Sequence, residues 1–249
     1  MRRRMYGLIT AALVLGGSGA AMATVEEENA AAAREEMVHI LQLEVQLLSP
    51  ETGIAEIDPR ILDAMREVPR HLFVPEPLRD FAYGNHPLPV GHDQNIAAPL
   101  LVALMTHLIE PQPDDVVFET GTGAGYHAAV LAQLVAEVYS VEVIDELAEQ
   151  AADLLAEQGY DNVHIRAADG YYGWPEEGPY DAMVIKEAID YVPTPLLAQL
   201  KPGGRMVVPL GPADGPQYLT LITKNENGRV SEERILPVRF SPLQGGQRL

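Results

Sequence analysis

Val116-Val117-Phe118-Glu119-Thr120-Gly121-Thr122-Gly123-Ala124-Gly125-Tyr126-His127 is the stretch that decides the fold. A short apolar run ends in an acid, glycine returns at every second position, and an Ala- and Leu-rich helical segment follows through Val135. Strand, glycine turn and helix together make a site for a nucleotide-like ligand. Glycine lets the ligand approach the backbone, and the helix start offers free N–H groups. A dinucleotide fingerprint needs G-x-G-x-x-G, whereas the spacing here is G-x-G-x-G. A P-loop needs Gly-Lys-Ser/Thr at its end, which is missing.

Outward from this loop, strands and helices alternate. Val138 to Val143 reads as a second strand and Asp145 to Glu157 as a second helix. Val163 to Arg166, Asp181 to Ile185 and Arg205 to Leu210 read as further strands, with a helix over Pro195 to Leu200. Tyr218 to Lys224 and Arg229 to Val238 form a closing hairpin turned at Asn227-Gly228. This alternation implies an α/β fold, a doubly wound and mostly parallel sheet with a C-terminal antiparallel hairpin. Upstream, Val38, Leu41, Val45 and Leu48 make a helical stripe, broken at Ser49-Pro50 and Gly53. Asp58-Pro59 caps a helix to about Val68, and Pro99 opens another over Leu100 to Ile109. Pro69, Pro75, Pro77, Pro87 and Pro89 keep the chain between them mostly irregular to Gly91.

Acids stand after three successive strands. Glu119 lies two residues before Gly121, Glu142 ends the second strand, and Asp169 follows the third. A carboxylate at the first position can pair, directly or through water, with an ammonium. The second can accept from both ribose hydroxyls, and the third can receive an adenine amino group. This is the donor set for S-adenosylmethionine (SAM), with Gly121, Thr122, Gly123, Gly125 and Gly170 supplying backbone. Strand-end acids also serve as helix caps, so each is weak alone and the ordered series carries the reading.

Longer stretches then carry a resemblance. VFETGTGAGYHAAVLAQLV (117–135), VYSVEVI (138–144), ADGYYGW (168–174), PYDAMVI (179–185) and LKPGGRMVVPLGP (200–212) resemble the protein-L-isoaspartate O-methyltransferases. So do ILDAMREVPRHLFVPEPL (61–78), AYGNHPLPVG (82–91), DQNIAAPLLVALM (93–105) and VRFSPLQGG (238–246). The resemblance spans about Met37 to Gly246. It implies a Rossmann-like SAM-dependent methyltransferase fold and methylation of the isoaspartyl α-carboxylate in damaged proteins. The ester would cyclise to a succinimide whose hydrolysis returns some normal aspartate. It implies one domain over 37–249, with a helical and loop substrate cap over 37–113 and a SAM-binding core over 114–249.

Two departures fall at the substrate side. The family front loop usually reads G-x-x-Q-T-I-S-x-P. Here Gly91, Gln94, Ile96 and Pro99 match, Asn95 replaces the threonine, and Ala97 replaces the serine that orients the substrate carboxylate. After the fourth strand the family has small apolar residues, whereas this chain has Ile185-Lys186-Glu187-Ala188-Ile189-Asp190. Lys186 reads either as a cation for the acceptor carboxylate or as a local partner of Glu187 or Asp190. Asn95 and Lys186 are the candidates to replace the missing hydroxyl. His86, His92, Asp93 and His127 show no ligand spacing, so no metal site is expected. Trp174 and Tyr171-Tyr172 are expected near the adenine edge, with ordinary core packing as the alternative. Alternative functions are a methyltransferase for a different carboxylate and a SAM-binding module without turnover.

The 249 residues carry 17 Lys and Arg against 36 Asp and Glu, a net charge of -19, and no cysteine. Such a chain has no general basic face for nucleic acid. Thiol nucleophiles, disulfides and Cys-ligated metals are excluded. Arg2-Arg3-Arg4, the apolar run Leu8 to Leu15 and Ala21-Met22-Ala23 read as a signal peptide over 1–23. An acidic, Ala-rich leader over 24–36 follows. The expected product is a periplasmic or secreted monomer with no stable membrane insertion, acting on isoaspartyl proteins or peptides. The alternative is a cytoplasmic protein whose true start lies downstream.

Overall fold

This computed structural model describes the backbone of residues 17–245 and the side chains of residues 29–245. The basic start and apolar run of the expected signal peptide lie outside the described residues.

Strand β3 (Val116–Thr120) is central, and β4 (Glu137–Glu142) and β5 (Val163–Ala167) pair outward from it in parallel. The chain then returns across β3 to its other side, where β6 (Tyr180–Val184) and β7 (Leu200–Leu210) are also parallel. The antiparallel strands β8 (Gln217–Lys224) and β9 (Val230–Val238) close a seven-stranded sheet of order β5-β4-β3-β6-β7-β8-β9. The Rossmann-like architecture and the closing hairpin agree with the sequence reading. The reversal between β3 and β6 is a topological switch point, where the strand ends splay and leave a crevice.

Alternate residues of each strand face opposite sides of the sheet. Val117, Val138, Ala182, Val207 and Leu219 join a core covered by α1 (Gly17–Thr52), α2 (Pro59–Glu67), α3 (Pro99–Leu108) and α4 (Tyr126–Ala132). Phe118, Met183, Met206, Val208 and Ile222 join the opposite core, under α6 (Thr194–Gln199). Helix α5 (Asp145–Glu157) packs on β4 and β5. Its Leu155 Cδ1 lies 2.9 Å from where a Cβ on Gly125 would stand. Gly125 is also at φ 91°, so this glycine is required by both backbone and packing.

Four elements differ from the sequence reading. The 24–36 leader is no separate segment, because α1 runs continuously from Gly17 to Thr52. Of the two expected breakers, Gly53 at φ 71° ends the helix, whereas Ser49-Pro50 stays within it. Pro50 sits in the last turn, where its missing N–H forfeits one bond only. The stretch after Pro69 contains 3₁₀ turns at Arg70–Phe73 and Glu76–Phe81, and a small hairpin of β1 (Leu88–Gly91) and β2 (Gln94–Ile96). Its turn residues His92 and Asp93 both have positive φ, 52° and 57°, as a two-residue type I′ turn requires. That turn is usually signalled by Asn-Gly, so His-Asp concealed the hairpin. Finally, β7 begins at Leu200 and absorbs the Lys-Pro-Gly-Gly segment. No helix among the described residues is long and apolar enough to cross a membrane.

Candidate active site

The switch point holds a cavity of about 270 Å³. Its floor is the loop Thr120–Ala124, its sides are Val141–Val143 and Ala168 with Gly170, and its front is Gln94–Ala98 from the β1–β2 hairpin. Lys186 and Glu187 and the tail Arg239–Gln244 complete the wall. The tail is stitched to the β6 loop: Ala188 N donates to Ser241 O at 2.8 Å, and Leu243 N to Ala188 O at 2.9 Å.

The three strand-end acids take different places. Glu142 lines the cavity, its Oε2 accepting from Gly123 N at 2.8 Å and its Oε1 from Ile144 N at 3.1 Å. Each oxygen keeps a second lone pair for a ligand hydroxyl. Asp169 caps the turn Gly170–Tyr172, accepting from Tyr171 N at 2.9 Å. Gly170, next to it, lines the cavity wall, and a Cβ there would stand 2.7 Å from Thr120 Cγ2. Glu119 lies wholly beneath the loop at 0% exposure and does not line the cavity. Its Oε1 accepts from Ser140 Oγ at 2.7 Å, and Ser140 Oγ in turn lies 2.5 Å from Thr122 Oγ1.

Lys186 fits neither local pairing read from the sequence. Its Nζ reaches back to Glu119 Oε2 at 2.9 Å, and its side chain is only 11% exposed. The cause is depth: the carboxylate of Glu119 is the buried anion within reach and has no water to solvate it. Glu187 and Asp190 therefore lack the lysine. Glu187 instead folds over Gly121, which is open for it at φ 61°. A Cβ on Gly121 would fall 2.0 Å from Glu187 Oε1. Thr120 donates its hydroxyl to Glu187 Oε2 and accepts from Lys186 N at 3.2 Å. Burial pushes the Glu187 carboxyl up to about 7, aided by the nearby Glu142 and Glu119 and opposed by Thr120 and Lys186. A raised acid destabilises the folded state once ionised. Stability contributed by this site is present below the unfolded value of 4.5 and falls as pH rises through about 7. Glu187→Gln should therefore raise the thermal midpoint at about pH 8 and leave it nearly unchanged at about pH 4.5. An equal shift at both values in calorimetry would contradict this electrostatic origin.

The front loop is held from behind. Arg70 is fully buried, donating from Nε to Ala82 O at 2.8 Å and from Nη2 to Ala97 O at 2.7 Å. Its guanidinium lies 4.7 Å from the centre of the Tyr126 ring. Burial lowers it to about 10, so it stays charged near neutrality. Asn95 and Ala97 both line the cavity, as expected of acceptor-side residues. His127 also faces it. Thr106 gives its hydroxyl proton to Val102 O at 2.8 Å, so it accepts from His127 Nε2 at 2.9 Å. That assigns the proton to Nε2 and leaves the buried Nδ1 as a bare acceptor without a hydrogen-bond partner. Burial, then Lys186, holds this imidazole well below its usual range, so it is neutral.

The aromatic residues expected at the adenine edge do not line the cavity. Trp174 packs edge-on to Tyr139 at 5.4 Å with the Arg166 guanidinium 4.4 Å above it, in the core beneath the sheet. Tyr171 and Tyr172 contact each other at 5.2 Å and do not line the cavity. Sequence reasoning missed Arg70, the tail Arg239–Gln244 and the inward turn of Glu187. Two of them left a signal: Glu187 as an acid just past the strand facing the glycine loop, and the tail within the stretch VRFSPLQGG (238–246).

A glycine loop at the switch point, with an acid on the adjoining strand end, is the Rossmann-like fold of SAM-dependent methyltransferases. The comparisons narrow that class. Residues 46–248 match the family model described as Protein-L-isoaspartate(D-aspartate) O-methyltransferase. The chain is 44% identical over 246 residues to Protein-L-isoaspartate O-methyltransferase 2 of Syntrophobacter fumaroxidans, covering 99% of this chain and 100% of that one. It is 55% identical over 186 residues to Protein-L-isoaspartate O-methyltransferase 1 of Nitrosospira multiformis, covering 75% and 79%. A solved protein-L-isoaspartate O-methyltransferase superposes with a TM-score of 0.73 at 28% identity, covering 85% of this chain and 66% of that one. The Plasmodium falciparum beta-aspartate methyltransferase, solved in complex with S-adenosyl-L-homocysteine, shares the fold at a TM-score of 0.67 and 24% identity, covering 76% and 92%. The chain belongs to the protein-L-isoaspartate(D-aspartate) O-methyltransferase family.

Proposed function

We propose that this protein methylates the isoaspartyl α-carboxylate of damaged proteins and peptides, with SAM as donor. One observation carries the reading: the glycine loop, Glu142 and the front loop Gln94–Ala98 line one and the same cavity. The residues fit the donor. Gly121 and Gly123 hold positive φ, and the Glu142 carboxylate is fixed on the cavity side by two backbone donors. Bound SAM supplies a methyl group on a sulfonium.

The chain has little proton chemistry to do. An isoaspartyl α-carboxylate titrates at about 3–4 and is ionised near neutrality, so no general base is needed. That fits a cavity whose histidine is buried and already bonded to Thr106. The protein's task is to align the carboxylate and exclude water. Ala97 offers no hydroxyl, and Lys186 is occupied by Glu119. Asn95 is then the nearer substitute of the two read from the sequence, with a side-chain amide to donate from the same loop.

The test uses labelled SAM and two peptides differing only in an aspartyl or isoaspartyl linkage. Label should enter the isoaspartyl peptide alone. Restoring the hydroxyl should improve it: Ala97→Ser is expected to raise kcat/KM by roughly tenfold or more, the worth of one hydrogen bond to a charged group. No gain would mean that Asn95 already fills that role. A different carboxylate acceptor remains the second reading, motivated by the charged Lys186-Glu187 wall.

Export is part of the proposal. Among the described side chains, the first buried residue of α1 is Met37, downstream of a cleavage after Ala23. N-terminal sequencing of the native protein should begin at Thr24; an intact Met1 or a start at Met37 would refute it.

A further inference from the structure

We propose that Glu187, not Glu119, is the carboxylate that holds the α-ammonium of the donor's amino-acid end. The inference rests on SAM as the donor and on nothing about the acceptor. Three observations lead to it. Glu119 has no cavity-facing surface, and its two oxygens are committed to Ser140 and Lys186. Its charge is therefore neutralised from within, by Lys186. The neighbouring residue then restores an anion on the cavity side: the Glu187 carboxylate lies over Gly121 and lines the wall. Lys186 and Glu187 thus divide the work: the first pairs with the buried acid, and the second puts a carboxylate on the cavity side.

The surroundings suit a carboxylate that waits for a cation. The charged groups acting on Glu187 are Glu119 at the end of β3, Glu142 at the end of β4 and Lys186 beside it, and Arg239 of the tail lines the same cavity. The lysine is spent on Glu119, and His127 on α4 is neutral. The Thr120 hydroxyl is the hydrogen-bond donor on the carboxylate. An incoming ammonium would supply the missing counter-charge in a site with little water, where a charge-assisted hydrogen bond is strongest.

Calorimetry on the full chain separates the possibilities with three probes. SAM carries both ammonium and sulfonium, S-adenosylhomocysteine carries the ammonium alone, and methylthioadenosine carries neither. Glu187→Gln should weaken SAM and S-adenosylhomocysteine alike, by about tenfold or more, and leave methylthioadenosine unchanged. Retained methylthioadenosine binding shows that the variant is folded. The ratio of wild-type to variant affinity for S-adenosylhomocysteine should grow between about pH 6 and about pH 8, because ligand protonation is common to both proteins and cancels. Glu187→Ala should repeat the pattern. Unchanged binding of all three probes, or weakening of SAM alone, would overturn the assignment. Loss of isoaspartyl methylation plays no part in this test, so a wrong acceptor cannot be mistaken for a wrong ammonium partner.

Discussion

Lys186→Met should destabilise the protein by about 3–5 kcal/mol, because it orphans a carboxylate with no exposure. Glu119 accepts one hydrogen bond from Ser140, and Lys186 supplies the only ion pair that the Glu119 carboxylate makes among the described residues. Without the ammonium, Glu119 must stay charged and unsolvated or take up a proton. The loss should therefore shrink as pH falls, since protonation relieves the variant alone. Adding Glu119→Gln should recover most of the stability, because the isosteric amide removes the charge while keeping an oxygen for Ser140. Chemical denaturation of the two single variants and the double variant checks this. Additive losses would mean that the pair is not a stabilising unit.

Arg70→Leu should cost about 2–4 kcal/mol and raise KM for the peptide more than it lowers kcat. Arg70 is the donor to Ala82 O and Ala97 O from below the front loop. Removing it leaves buried carbonyls without a donor and frees the segment that forms the acceptor wall. Denaturation measures the first effect, and steady-state kinetics with an isoaspartyl peptide the second. A stable variant with unchanged KM would show that the loop is held by its hairpin alone.

Much of the sheet was legible because each strand and helix is coded locally. The run from Val116, the glycines to Gly125 and the helix from Tyr126 carry a pattern that no other arrangement satisfies as well. Asp145–Glu157 matched residue for residue, since its amphipathic spacing is uninterrupted. The β1–β2 hairpin was not legible, because proline-rich sequence suggests irregularity and its turn uses His92-Asp93. Trp174 takes the core reading, the second of its two, for another reason. A tryptophan after a strand end can face either the cavity or the core, and only packing against Tyr139 and Arg166 decides.

At the site, the sequence marked the positions and left their partners open. Ala97 and the segment Ile185 to Asp190 stand out as departures, and Ala97, Lys186 and Glu187 line the cavity. That Lys186 would reach back to Glu119 depends on a separation in space between residues 67 apart in the chain. Nothing in the linear order weighs Glu119 against Glu187 or Asp190. Arg70 was invisible because an arginine among prolines normally reads as exposed, whereas here it replaces water as the donor to two buried carbonyls.

The central claim is that the two walls of this cavity bring a SAM methyl to an isoaspartyl carboxylate. The most direct measurement follows one isoaspartyl peptide by chromatography and mass spectrometry, with the protein and SAM together. The account predicts a transient species heavier by one methylene, then a succinimide, then a rising fraction of the aspartyl peptide. An isoaspartyl peptide that stays unmodified while SAM is bound, or equal methylation of the aspartyl peptide, would contradict it.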